Sequence, residues 1–139
     1  MATLVIDTGQ DIVGIYSVEE ETYTPYRGSD ILSAIERIKA ADEIVTYNGK
    51  HRDLPDLVKF AGITGDFPLK GLHTDMRSVC WSDRIWGSNL FDTYKMHFGN
   101  LPEFRHTYEG HNEKDTFLTF KLWELWRKGE LKVLDGQYR

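Results

Sequence analysis

The sequence contains a single cysteine, Cys80. One thiol forms no internal disulfide, and a Cys-rich zinc site is excluded with it. There is no apolar run approaching the roughly 20 residues that cross a bilayer, so no transmembrane helix and no membrane partner are expected. Met1 to Asp7 carries no basic flank and only a short apolar stretch, so a signal peptide is not expected either. Basic residues are not in excess: 17 Lys and Arg face 22 Asp and Glu, a formal net charge of -5. Proteins that hold nucleic acid by bulk electrostatics are usually basic, which argues against a simple coating protein. The count leaves room for an enzyme that meets phosphates through metal ions held by its own carboxylates. Internal repeats and low-complexity linkers are absent too. The expectation from these absences is a cytoplasmic protein.

What is present suffices for one domain, residues 1–139. The chain is 40% hydrophobic and 13% aromatic, with a mean hydropathy of -0.47, which excludes disorder and collagen. At this length roughly two-thirds of the unfolded surface can be buried, enough for a core without staples.

The pattern along the chain reads as an α/β fold. TLVID (Thr3 to Asp7), DIVGIYSV (Asp11 to Val18) and ETYTPY (Glu21 to Tyr26) are β-prone runs separated by short polar turns, which predicts a three-strand antiparallel meander. Ile31, Leu32, Ile35 and Ile38 then recur at helical spacing after a cap at Ser29 or Asp30. Glu43 to Tyr47 is a fourth strand, and Asn48-Gly49 a turn. A helix opens at Asp53-Leu54-Pro55 and stops at Gly62, with Pro55 suited to a first turn. Leu72 to Asp75 reads as a short fifth strand, with a helix from Asp75 to Trp81. A further helix runs from Leu90 to Phe98, capped by Ser88-Asn89 and stopped by Gly99. Asn100 to Gly110 reads as loop, His111 to Lys128 as a long helix, and Leu131 to Arg139 as a loose tail.

Three carboxylates fall at informative places. Asp7 ends the first strand, Asp53 follows the Tyr47-Asn48-Gly49 turn, and Asp115 lies one turn into the last helix. Side chains so placed can converge at one end of a sheet. Carboxylates brought together repel unless a hard cation neutralises them, and Mg²⁺ or Mn²⁺ takes oxygen ligands. Two such ions stabilise both the attacking and the leaving oxygen of a phosphodiester. Taken singly, each Asp is more often a cap or a solvated charge. His111 lies four residues before Asp115 and shares its helix face. A histidine there can orient or deprotonate a water; the plainer alternative is a solvated His near a helix start.

The order of LVID (4–7), TYNGKHRDLP (46–55), LHTDMRSVCW (72–81) and YEGHNEKDTFLTFKLWEL (108–125) resembles the ribonuclease H-like 3′–5′ exonucleases of the DEDD superfamily. The resemblance implies a ribonuclease H-like fold with a mixed sheet of about five strands flanked by helices. It implies a two-metal site with Asp7, Asp53 and Asp115 as ligands, and His111 standing where the family's tyrosine-type spacing places a tyrosine. It implies hydrolysis at single-stranded DNA or RNA ends. The N-G-x-x-x-D of Asn48, Gly49 and Asp53 matches the family's second motif. The first motif departs: Asp7-Thr8-Gly9 has glycine where the family has Glu. The second-metal site is therefore expected to be weak, with Asp11 and Glu19 as the nearby acids that could substitute. A catalytically degenerate binding or interaction module of the same fold is the alternative.

Basic and aromatic residues complete the reading. Lys50 and Arg52, with Asn48, flank Asp53 and are placed to meet phosphate oxygens. Phe91, Tyr94 and Phe98 stack bases or fill core, with core favoured. Trp123 and Trp126 widen the apolar surface of the last helix beyond one stripe, which points to a homodimer contact if it is not core packing. Asp75 is not counted as a ligand, and Cys80 is expected to be a packed thiol.

Overall fold

The computed structural model describes residues 1–82 and 89–132. Three antiparallel strands come first: β1 (Thr3–Gly9), β2 (Ile12–Ser17) and β3 (Thr22–Arg27). A single 3₁₀ turn leads into α1 (Ile31–Ala40). Then follow β4 (Glu43–Thr46), α2 (Asp53–Ala61), β5 (Leu72–Asp75), α3 (Met76–Ser82), α4 (Leu90–Phe98) and α5 (Tyr108–Arg127). The five strands form one sheet in the order β3-β2-β1-β4-β5. β1 pairs antiparallel with β2 and parallel with β4, and β5 continues parallel to β4. The sheet is therefore mixed, flanked by helices on both faces.

Alternation along β1 divides the core in two. Leu4 and Ile6 point to one face and join Ile35 and Ile38 of α1 and Leu57 of α2. Val5 points to the other, beside its β4 partner Val45, and meets Met76, Cys80 and Leu122. Residues two apart in a strand share a face, so Asp7 continues the row of Val5 and Thr8 the row of Ile6. Each Ile, Leu or Val so buried contributes about 1.5–3 kcal/mol relative to exposure, and α1 supplies Ile31, Ala34, Ile35 and Ile38 from one stripe.

The expected elements are found, with four differences. First, α5 begins at Tyr108, because the Thr107 hydroxyl accepts from Gly110 N (2.9 Å) and starts the helix inside the expected loop. Second, neither Ser29 nor Asp30 caps α1 with its side chain; the preceding 3₁₀ turn leads straight into it. Third, the expected loose tail is anchored where described: Leu131 is fully buried, and Lys132 N donates to His97 Nε2 at 2.9 Å. Residues 133–139 lie outside the described residues, as does Ser88 of the expected cap. Asn89 does cap α4, its side chain accepting from Asp92 N at 2.8 Å. Fourth, Glu19 cannot stand in for a ligand beside Asp7. Its carboxylate accepts from Thr3 N (2.8 Å), at the opposite end of β1. Asp11 lies exposed in the β1–β2 turn.

Cys80 is a buried thiol, and Tyr94 is core. Phe91 and Phe98 of the same helix are 40% and 37% exposed. Trp123 and Trp126 are half-buried against the second core. Among the described residues no helix is long and apolar enough to cross a membrane.

Candidate functional site

β1 is longer than its parallel neighbour. Register with β4 runs only over Thr3↔Glu43, Leu4↔Ile44 and Val5↔Val45, so the last residues of β1 face no strand on that side. Asp53, at the start of α2, fills the gap. Its Oδ1 accepts from Thr8 N (2.9 Å) and from the Thr8 hydroxyl (2.8 Å). The same hydroxyl lies 2.8 Å from Asp56 Oδ2. A backbone N–H left without a partner in such a place costs about 1–3 kcal/mol, so Asp53 supports the fold as well as lying beside Asp7.

The turn that carries Asn48, Lys50 and Arg52 is held from β5. Asp75 accepts from Asn48 N (2.7 Å) and Arg77 N (3.0 Å) through Oδ1, and from Lys50 N (3.2 Å) through Oδ2. Asn48 is left-handed (φ 67°). Gly49 N donates to the Thr46 hydroxyl (3.1 Å), so close that any Cβ at Gly49 would overlap the Thr46 side chain. Asp75 thus serves as a scaffold for the turn.

On the other face, α5 reaches the sheet through Asn112. Gly14 of β2 lies opposite Asp7 and leaves room there; a Cβ at Gly14 would collide with the Asn112 amide. Asn112 Nδ2 donates to Asp7 O (2.9 Å) and to Asp7 Oδ2 (3.3 Å), and Tyr23 Oη donates to Asn112 Oδ1 (2.7 Å). The Asp7 main-chain oxygen accepts only, so the amide nitrogen must face Asp7 and the phenol must be the donor to Asn112. Burial, with Glu113, Glu109 and Asp7 nearby, raises the Tyr23 phenol far above its ordinary range. That keeps the donor protonated.

Asp7 and Asp115 line one cavity of about 620 Å³, together with Asn48, Arg52, Arg77 and Phe91. Burial raises the Asp7 carboxyl well above the usual carboxylate range, and the charges of Asp53 and Asp115 raise it further; Arg52 opposes them. Asp53 is pushed up to about 6, chiefly by burial, against the hydrogen bonds from Thr8 and the charge of Arg52. Burial also raises Asp115, offset by Arg52, Lys114 and His111. Arg52 is thus the cation that all three carboxylates feel.

Of the residues expected to act, the cavity wall brings together Asp7, Asp115, Asn48 and Arg52. Asp53 stands behind Asp7, fastened to Thr8. Lys50 is exposed on the turn. His111, also exposed, lines a neighbouring cleft with His106 and Lys114, yet remains close enough to Asp115 to lower its carboxyl. Among the described residues no three His, Cys, Asp or Glu side chains close into a group that could hold a metal ion unaided. Two supports are absent from the sequence reading. Asn112 precedes Asp115 by three residues, a spacing that puts both on one face. Thr8 is recognisable only once Asp53 is seen beside it.

No protein-family model matches this sequence, and comparison with curated proteins gives no match. The chain is an α/β protein with a five-strand mixed sheet flanked by helices, and Asp53 and Asp115 lie close enough to Asp7, near the end of β1, to act on its charge.

Proposed function

We propose that this protein is a cytoplasmic, metal-dependent 3′–5′ exonuclease of ribonuclease H-like fold, hydrolysing phosphodiester bonds at single-stranded DNA or RNA ends. The observation that carries this reading is the environment of Asp7. A half-buried carboxyl at the end of the central strand has two further carboxyls, Asp53 and Asp115, opposing its charge, which is the arrangement a hard cation relieves.

The donor set fits Mg²⁺ or Mn²⁺ in its chemistry: Asp7, Asp53 and Asp115 offer only oxygens. Mg²⁺ commonly keeps several waters and takes one or two carboxylates plus substrate phosphate oxygens, so a site completed by substrate needs no closed three-residue cage. Gly9 adds no oxygen, which leaves the second of two ions weakly held. When bound, such ions supply Lewis-acid polarisation of the phosphodiester and lower the pKa of a water.

The protein's own part is orientation and proton handling. Asn112 holds the Asp7 carboxylate toward α5. Asn48 and Arg52 offer donors to phosphate oxygens, with Lys50 on the same turn. His111, beside Asp115, takes the proton of the attacking water. The exposed edges of Trp123 and Trp126 are the surface proposed for a homodimer contact.

Gly9 also favours a second reading, a binding module that keeps the fold without cutting. An end-labelled single-stranded oligonucleotide separates the two. Incubation with Mn²⁺ is expected to shorten it stepwise from the 3′ end, and Asp7→Asn to abolish this. Binding without shortening, in both Mg²⁺ and Mn²⁺, would establish the module.

A further inference from the structure

Beside the carboxylate cavity lies a second cleft of about 280 Å³, formed where the segment 101–106 passes over the start of α5. Its wall is rich in donors: Arg105, His106, His111 and Lys114, with Glu103 as its acid. Arg105 is engaged with Glu109 at 3.2 Å, so Lys114 and the two imidazoles are the groups this cleft offers to an anion. The imidazoles stand together, ring centroids 6.3 Å apart.

Lys114 connects this cleft to the first. It lines the second cleft, lowers the Asp115 carboxyl by its charge, and sets its ammonium 4.7 Å from the centroid of the Phe91 ring. Phe91 in turn lines the carboxylate cavity and is 40% exposed. An exposed aromatic ring with an ammonium against it matches the two halves of a nucleotide. The ammonium covers one face of the ring, so the phosphate meets the ammonium on that side and the base packs on the remaining exposed surface of the ring.

We infer that a single strand whose end occupies the carboxylate cavity continues over the Phe91–Lys114 pair, and that the side of the cleft formed by His106 and Lys114 holds the sugar-phosphate backbone of the nucleotides beyond the terminal one. This rests on the nucleic-acid reading proposed above and adds the path of the strand. The partner is a single-stranded chain of several nucleotides rather than a free nucleotide.

The test is fluorescence anisotropy of labelled oligothymidylates of 4 and 12 nucleotides, with Ca²⁺ in place of Mg²⁺ or Mn²⁺ so that the carboxylates stay neutralised while cleavage is not supported. The wild type is expected to bind the 12-mer at least tenfold more tightly than the 4-mer. The double variant Lys114→Gln, His106→Gln is expected to weaken about tenfold on the 12-mer and less than twofold on the 4-mer. Its salt dependence should flatten by about 0.7 in log-log slope for each phosphate that the variant no longer neutralises. Lys114→Arg keeps the charge and is expected to retain the 12-mer affinity, which guards against a merely misfolded variant. A double variant with unchanged 12-mer affinity, or with equal weakening on both lengths, would overturn the strand path alone. A wild type that binds neither length would overturn the path together with the reading beneath it.

Discussion

Asn112 donates twice to Asp7, to its main-chain oxygen at 2.9 Å and to its carboxylate Oδ2 at 3.3 Å, across 105 residues of sequence. This amide ties α5 to the end of β1 and, through Tyr23, to β3. Gly14 makes the approach possible. Asn112→Ala leaves the Tyr23 hydroxyl and the Asp7 carbonyl unpaired in a buried place. It is expected to destabilise the protein by about 1–3 kcal/mol in urea unfolding. It should also weaken Mn²⁺ binding, because Asp7 loses its orientation. A variant as stable as wild type would mean that water replaces the amide without cost.

Asp53 serves two purposes, and two substitutions separate them. Asp53→Asn keeps an oxygen for the Thr8 N–H and hydroxyl and removes a charge that opposes Asp7. Stability without metal is expected to be unchanged or slightly raised. Asp53→Ala leaves the Thr8 N–H orphaned and is expected to cost about 1–3 kcal/mol. Both variants should lose the rise in melting temperature that Mn²⁺ gives the wild type by mass action. A metal-dependent rise that persists in Asp53→Asn would remove Asp53 from the ligand set.

Gly9 occupies the place where a second acid is missing. It follows Asp7 by two residues on the same face of β1. Its backbone is outside the left-handed region, and an added Cβ would lie 3.0 Å from Ile12 Cγ2, a methyl on the branched Cβ of a buried side chain that must give by a few tenths of an ångström. Gly9→Glu is therefore expected to fold without backbone strain, at a packing cost of about 1–3 kcal/mol against Ile12. It should also bind Mn²⁺ more tightly than wild type in a calorimetric titration. A stable variant with unchanged affinity would show that the missing carboxylate does not limit the site.

His97 gives the fold a pH-sensitive joint between α4 and the chain after α5. Its Nε2 accepts from Lys132 N at 2.9 Å, which leaves Nδ1 to donate to Thr93 O at 2.8 Å. Burial lowers its pKa below the ordinary 6.5. A base so depressed in the folded state contributes stability that is fully present above 6.5. That contribution is lost as pH falls through the folded value. The raised carboxyls of Asp7, Asp53 and Asp115 act in the opposite sense, since protonation relieves them. The contribution of His97 is therefore read as a difference. On going from pH 7 to pH 5, His97→Phe is expected to lose less stability than wild type. Equal losses would place the joint elsewhere.

Much of the fold is legible in the sequence because its signals are local. The period of α1, the β-prone run of β1 and the Asn48-Gly49 turn each predict the element that is found. The start of α5 is not legible, because Thr107 caps it from within a segment whose Pro102 and polar residues read as loop. Nor is the anchoring of Leu131, whose burial depends on Val5 and Leu122, neither near it in sequence. At the site, Asp7 is recognisable as an acid near the end of a strand and Asp115 as one within the last helix. The parts played by Asn112, Thr8 and Gly14 are not, because each depends on a partner across the sheet. His111 illustrates the limit of spacing. Four residues from Asp115, it shares that residue's side of α5 and still lines the neighbouring cleft.

The central claim is that Asp7, Asp53 and Asp115 hold a divalent cation, and electron paramagnetic resonance of Mn²⁺ tests it directly. Free Mn²⁺ gives a six-line signal that broadens when the ion is bound. Titration into the wild type is expected to suppress the signal up to about one equivalent, leaving a second ion weakly held. Asp7→Asn should leave the signal at its protein-free intensity. A wild type that suppresses nothing, or an Asp7→Asn variant that suppresses as much as wild type, would contradict the assignment.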